Sequence, residues 1–495
     1  MLSRGYTLFR TFSASTLAAS LVTLMLAFAT HFSDAHATPR ATELELKNGM
    51  KVVVVEDHRA PVVTHMVWYR VGAADEPRGV SGIAHFLEHL MFKSTDKIPN
   101  GEFSKIVSRL GGQDNAFTGQ DVTAYFQRIA KDRLPTVMAM EADRMVNLRL
   151  QEKEVLTERN VILEERRSRT DNNPSAILDE QMNAVLYLSH PYGIPVIGWE
   201  HEMAKLSRED ALGFYKRFYA PNNAILVVTG DITPEELLPL AEETYGKIPA
   251  NPAVKARTRP LEPPHLAARR VNLKDPRAGK PSFHRYYLAP SYATAEAGEA
   301  EALDLLLKVL ASGSTSRAYK KLVIGEKVAA STGGYYSGAA RDSGKIAFYA
   351  VPADGTGLDK VEAELDKVIA DVRAHGITEA ELDRAKKSYL ADYIYQSDNQ
   401  ATLARRYGWS LTVGRTVNDI EEWPDRIAKV TLADTAKVAA KYLDIRRSVT
   451  GTLEPESPDE AGAGAIAGTA DKTPAPATPG AAPTPAAAPK AGGRS

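Results

Sequence analysis

The sequence predicts an α+β protein of two homologous domains, each a mainly antiparallel sheet with helices packed on one side. Three observations lead to this. Short β-branched runs such as KVVVVE (51–56) alternate with segments of helical apolar spacing along most of the chain. A proline-rich, basic stretch, NPAVKARTRPLEPP (251–264), has neither period and interrupts the alternation. Beyond it the same order of elements begins again. His65 to Ala73 followed by an amphipathic helix recurs as His284 to Ser291 followed by another. KST (93–95) matches GST (313–315) at an offset of 220, and QEKEV (151–155) matches TEAEL (378–382) at an offset of 227. With 495 residues, 44% of them hydrophobic, the chain is longer than one core usually organises and has apolar surface enough for two.

The chain starts with Arg4 and Arg10, an apolar run over 17–28 and the small-x-small pattern Ala35-His36-Ala37. This predicts a secretory signal peptide over residues 1–37 and a product exported across the inner membrane, periplasmic in a two-membrane bacterium. The alternative is an uncleaved anchor, because residues 13–32 are almost long enough to span a bilayer. In the N-terminal domain, residues 42–250, strands are expected at 51–56 and 62–71, then helices at 82–92 and 101–110. A strand pair follows at 114–118 and 122–129, then helices at 132–146 and 152–169 and a strand at 223–229. Thr233 and Glu236 form a capping box with Pro234 at the first helical position, which starts another helix. Residues 251–267 are the linker. The C-terminal domain, 268–456, should hold strands at 282–288, 328–337 and 345–351 and helices at 299–310, 317–323, 358–375 and 379–395, the last opened by the capping box of Thr378 and Glu381. The tail, 457–495, is Ala, Pro, Gly and Thr with few large apolar residues, and is expected to stay disordered.

Composition narrows the chemistry. A net charge of −1 argues against general nucleic-acid binding. The absence of cysteine removes disulfides, thiolate metal sites, iron–sulfur clusters and cysteine nucleophiles, so any metal must be held by His, Asp or Glu. The informative segment is GIAHFLEHLMF (82–92). On a helix His85 and His89 share a face and can point two imidazoles at one ion, while Glu88 reaches the edge of the same site. Two imidazoles, a carboxylate from elsewhere and an open position make a catalytic zinc site. The ion acidifies a bound water and a nearby free carboxylate, here Glu88, moves the proton. H-x-x-E-H is the inverzincin spacing. Chance pairing is the competing reading, but the flanking apolar residues imply a buried helix, where an unpartnered His–Glu–His trio is costly. The third ligand is sought on EVLTERNVILEE (154–165). Glu158 and Glu165 share a face with Val155 and Ile162, and Glu164 is rotated about 100° off it. That makes Glu165 the ligand and Glu158 a carboxylate of the catalytic machinery that orients a ligating His. A solvated charged face is the alternative that spacing alone leaves open.

With these segments in hand the sequence resembles the pitrilysin/insulinase family of zinc metallopeptidases, which includes the mitochondrial processing peptidases. The resemblance runs from about Thr42 to Glu454. It is carried by LKNGMKV (46–52), HFLEHLMFKST (85–95), GGQDNAFT (111–118), ERNVILEE (158–165), His190-Pro191-Tyr192 with Pro195 and Gly198, and GSTSR (313–317), in the family's order. The gap of 76 residues from His89 fits the family and favours Glu165 over Glu164. The resemblance implies two homologous domains forming half of a clamshell and one Zn2+ per chain, on His85, His89 and Glu165. It implies cleavage of extended or unfolded peptides, with Asn115, Ala116, Phe117 and Thr118 on a strand edge to which substrate adds. Active single-chain or homodimeric members carry an Arg and, seven residues on, a Tyr in the second repeat. The matching positions here are Val323 and Ala330, with Tyr335 and Tyr336 as nearby phenols that equally fit a plain strand. The resemblance therefore implies a homo- or heterodimer in which a homologous subunit supplies those groups. The alternative is a non-catalytic peptide-binding or structural subunit of such a pair. In the second repeat Leu305, Lys308 and Val309 stand where His85, Glu88 and His89 do in the first, and Asp392 stands where Glu165 does.

Overall fold

The computed structural model describes residues 40–456, so the expected signal peptide and tail lie outside the described residues. The chain contributes strands β1 (Ala41–Glu45), β2 (Lys51–Glu56), β3 (Val62–Tyr69), β4 (Ser94–Thr95), β5 (Gln113–Thr118), β6 (Thr123–Ala130), β7 (Leu148–Arg149) and β8 (Ala224–Gly230) before the linker. After it come β9 (Arg269–Asp275), β10 (Ser282–Ala289), β11 (Ala329–Ser337), β12 (Gly344–Pro352) and β13 (Ser448–Pro455). The first sheet runs β1-β2-β8-β3-β6-β5 and the second β11-β12-β10-β13-β9, while β4 and β7 pair by themselves. Read from its other edge, the second sheet repeats five strands of the first in order. Each contains one parallel pair, β2 with β8 and β9 with β13, among antiparallel neighbours. The diverged repeat seen in the sequence is thus a repeat of topology.

The helices of eight residues or more in the first half are α1 (Ile83–Leu90), α2 (Glu102–Arg109), α3 (Leu134–Val146), α4 (Glu152–Arg166), α5 (Pro174–Leu186), α6 (Arg208–Phe218) and α7 (Pro234–Glu243). In the second half they are α8 (Glu299–Ala311), α9 (Leu358–His375), α10 (Glu379–Ser397), α11 (Gln400–Thr412) and α12 (Leu432–Tyr442). Apolar spacing assigns no element between 170 and 222, yet α5 and α6 lie there. Asn173 caps α5 with Pro174 at its first position, and Ser207 caps α6 in a box closed by Asp210. The expected helix over 152–169 ends as α at Arg166 and continues as a π-helical turn, Arg167–Asp171.

Each sheet buries both faces, and the two faces are covered differently. Val52 and Val54 of β2 face the half's own helices, with Phe86, Leu87 and Leu90 of α1 and Val155 and Ile162 of α4 in the same core. Val53 and Val55 face the opposite way, with Met66 and Trp68, onto Leu403, Ala404, Tyr407 and Leu411 of α11, a helix from the other half. A strand buried on both faces explains the unbroken KVVVVE run. The second sheet mirrors this. Phe283, Tyr287 and Phe348 face α8 and α9, while Tyr286, Leu288, Val449 and Leu453 face Leu178, Met182 and Leu186 of α5. So the expected packing of helices on one side is departed from by α5 and α11, which cross over to cover the remaining face of the other half's sheet.

The segment 251–264 has no regular structure, as its prolines require. It is nevertheless pinned. Arg259 sits with its side chain 4% exposed, bonded to Asp75 at 2.9 Å, to Asp342 at 2.9 Å and to Asp121. Asp75 and Asp121 belong to the first half and Asp342 to the second, so one guanidinium ties the halves.

Candidate metal centre

Helix α1 is placed by its start. Gly82 has φ 86°, and a Cβ there would meet Ile197 O at 2.5 Å, so the close approach requires glycine. Glu76 accepts hydrogen bonds from the Gly82 and Ala84 N–H groups at 2.9 and 2.8 Å, satisfying donors that the first turn leaves free. The apolar side of α1 is fully buried, and this fixes the rotation that brings His85 and His89 onto α4. Their ring centroids are 4.8 Å apart.

From α4, Glu165 Oε2 lies 3.6 Å from His85 Nε2 and 3.4 Å from His89 Nε2. That oxygen is buried and has no hydrogen-bond partner. Atoms held ~2.0–2.2 Å from a tetrahedral ion stand ~3.3–3.6 Å from one another, so these spacings fit a zinc-sized ion at the common point. A buried carboxylate oxygen without a donor is otherwise an uncompensated cost. Among the described residues His85, His89 and Glu165 are the one group of three His, Asp or Glu ligand atoms this close together. Asp392, Glu165's counterpart in the second half, instead meets Lys308 at 3.6 Å.

The surroundings orient two of the three, His89 and Glu165, while His85 Nδ1 is buried without a hydrogen-bond partner. His89 Nδ1 donates to Glu158 Oε1 at 2.8 Å, which leaves Nε2 as the free ring atom, and Lys93 Nζ meets Glu158 Oε2 at 2.5 Å. Arg169, in the π-helical turn, holds Glu165 Oε1 at 2.6 Å, so that carboxylate is oriented from the side away from the imidazoles. Burial works against a charge on His89, but Glu158, Glu165 and Glu88 outweigh it and raise its pKa. Burial pulls His85 down to about 3, with the charges of His89 and Arg169 adding to it, so the imidazole is neutral and able to ligate. Glu158 is held below the usual carboxylate range: burial opposes this, and the bonds from His89 and Lys93 prevail.

Glu88 is 9% exposed, and burial pushes its pKa up, opposed by the hydrogen bond that Thr118 Oγ1 donates to its Oε2. Thr118 closes β5, the edge strand of the first sheet, paired only with β6. Of the other predicted edge residues, Ala116 packs towards the core under α1, Asn115 Oδ1 accepts the Ala116 N–H, and Phe117 points to the opposite face. There Phe117 stacks on Trp409 of α11 at 6.0 Å. Sequence spacing gave no role to Lys93 or Arg169 and did not connect Thr118 to Glu88. Lys93 follows His89 by four residues and Arg169 follows Glu165 by four, the one available signal; the Thr118 contact joins elements 30 residues apart. Val323 packs partly buried against the second core and Ala330 is exposed on β11. Tyr336 donates to Pro290 O at 2.7 Å, whereas Tyr335 is 48% exposed on the same strand.

A two-sheet α+β scaffold with an inverted His–Glu–His helix and a downstream glutamate defines a class of metallopeptidases, and comparison with known proteins agrees. Residues 51–199 match the family model described as Insulinase (Peptidase family M16), and 205–389 match Peptidase M16 inactive domain. The chain belongs to the M16 insulinase family. It is 31% identical over 422 residues to the zinc protease PqqE of Helicobacter pylori, covering 84% of this chain and 93% of that one. The crystal structure of a protease from Helicobacter pylori superposes with a TM-score of 0.79 at 29% identity, covering 84% of this chain and all of that one. The periplasmic protease PqqL from Escherichia coli shares the fold, with a TM-score of 0.72 at 20% identity over 88% of this chain and 51% of its own.

Proposed function

We propose that the protein is an exported zinc endopeptidase that cuts extended or unfolded peptides. The observation that carries this reading is the unpartnered Glu165 Oε2 set between two imidazole Nε2 atoms. His85, His89 and Glu165 would hold the ion, and a His/His/Glu set with an open position suits zinc. Bound zinc supplies Lewis-acid polarisation of the scissile carbonyl and makes a water acidic enough to attack it. Glu88 takes the water's proton and returns it to the leaving amine, and its raised pKa suits a group that must both accept and release a proton. Thr118 fixes the Glu88 carboxylate, and Glu158 fixes the His89 ring. The free edge of β5 offers N–H and C=O groups to a peptide main chain, which favours substrates without folded structure. Glu88→Gln is expected to keep one zinc per chain and lose cleavage of a fluorogenic peptide. Retained cleavage in that variant would remove Glu88 from the mechanism.

A second reading is favoured by Val323 and Ala330. The site is complete only beside a related subunit that brings the missing Arg and Tyr, or else the chain is the non-catalytic member of such a pair. The half-length coverage of the two-part Escherichia coli protease supports pairing. Peptide assays of the protein alone, with a homologue lacking H-x-x-E-H, and with chelator separate these cases. Export rests on the N-terminal segment outside the described residues; no described helix is long and apolar enough to cross a membrane.

A further inference from the structure

A cavity of about 840 Å³ lies apart from the metal centre, with none of His85, Glu88, His89, Glu158 or Glu165 in its wall. Its sides are Arg70 just past β3, the loop before α1, and the ends of α5 and α6. The linker residues 253–260 form its roof. Six cationic side chains line it against three carboxylates. The carboxylates are already engaged: Asp75 by Arg259, Glu76 by the Gly82 and Ala84 N–H groups, and Glu202 by the Ser81 N–H. Among the described residues, Arg70, Arg78, Arg217 and Lys255 have no carboxylate partner. Arg70 is partly buried as well, and burial lowers its pKa with only Glu43 and Glu45 opposing from a distance. A guanidinium drawn partly out of water with carboxylates only at a distance is costly, and an oxyanion with two acceptor oxygens relieves that cost in the bidentate geometry that arginine favours. Trp199 and Tyr187 add apolar wall suited to a ring or short hydrocarbon body, and the volume is that of small-molecule pockets.

We propose that this cavity binds a small organic oxyanion, a phosphate or carboxylate on an apolar body, with Arg70 and Arg217 as the main anion contacts. Such a ligand would lie between the first half and the linker segment that carries Arg257 and Arg259.

The test is calorimetric titration of the zinc-loaded full chain with phenyl phosphate, with benzoate and with benzyl alcohol as a neutral control. Expected is saturable one-to-one binding of at least one anion with Kd below about 1 mM, weakening as salt is raised, and none of the alcohol. Phosphate-only or carboxylate-only binding identifies the headgroup. Arg70→Gln with Arg217→Gln is expected to weaken binding by about tenfold or more. Lys255→Glu, an exposed change in the roof that the fold tolerates, weakens it by a smaller factor. Stripping the zinc with a chelator leaves it unchanged, so the result is independent of the peptidase reading. No saturable binding of either anion overturns the proposal. So do equal affinity in the Arg70/Arg217 and Lys255 variants, and loss of binding when the zinc is stripped by a chelator, which would place the anion at the metal centre.

Discussion

Gly408 and Gly213 are both helical glycines, and alanine at each should move stability in opposite directions. In an isolated helix the change is favourable by about 1 kcal/mol at either position. Gly213, on α6, is exposed, with nothing within 4 Å of the added carbon, so Gly213→Ala should stabilise by about 0.5–1 kcal/mol. Gly408, on α11, lies where that helix presses on the first sheet. Its added carbon would stand 2.0 Å from Trp68 Cε2 and 2.1 Å from Nε1. Trp68 is 0% exposed and boxed in by Phe117 and Trp409, so it cannot swing away, and α11 must lift instead. Overpacking of this kind costs about 1–3 kcal/mol, and so short an approach belongs at the top of that range. After the helical gain, Gly408→Ala should lose about 2 kcal/mol, read as a lower urea midpoint at unchanged m-value. A Gly408→Ala protein as stable as its Gly213→Ala counterpart would refute the docking of α11 on the first sheet.

Other outcomes follow from the same contacts. Glu158→Gln weakens the tie on His89 Nδ1 without removing a ligand, so zinc affinity should fall ~10–100-fold in a competition titration, with the fold unchanged by circular dichroism. Arg259→Met strands Asp75 and Asp121 and should destabilise by about 3–5 kcal/mol in denaturant unfolding. Glu381, bonded by Arg317, is pushed down to about 2 from 4.5. A depressed carboxylate adds stability above its unfolded pKa and loses it as pH falls through the folded one. Glu381→Gln should therefore unfold more easily than wild type near neutral pH, with the gap closing between about pH 4.5 and 2 in parallel urea titrations.

How much was legible beforehand depended on how local each signal is. The α+β class and the repeat were legible because strand alternation, helical spacing and the proline-rich break each act over a few residues. The pairing of His85 with His89 needs only helix geometry. Glu165 was harder: its face follows from Val155 and Ile162, but spacing alone does not say that α4 meets α1 rather than solvent. Helix α5 went unseen because its apolar residues, Leu178, Met182 and Leu186, are sparse, and they pack against a sheet more than 100 positions away in the chain, as in the Tyr286–Asp179 hydrogen bond. The same distance hid the Thr118–Glu88 contact. Arg259 looked like part of a soluble connector, since nothing local reveals three aspartates gathered around it.

The reciprocal cover of α5 and α11 bears on how such a chain can be divided or assembled. Severing the connector would leave two fragments, each with a greasy sheet exposed and a stray amphipathic rod, so neither should remain soluble when made alone, whereas co-production should let them find each other. The exchange is also self-complementary: each repeat gives the other what it receives. That is the symmetry of a twofold pair of identical single-repeat chains, the simplest arrangement from which a tandem duplication could have been built.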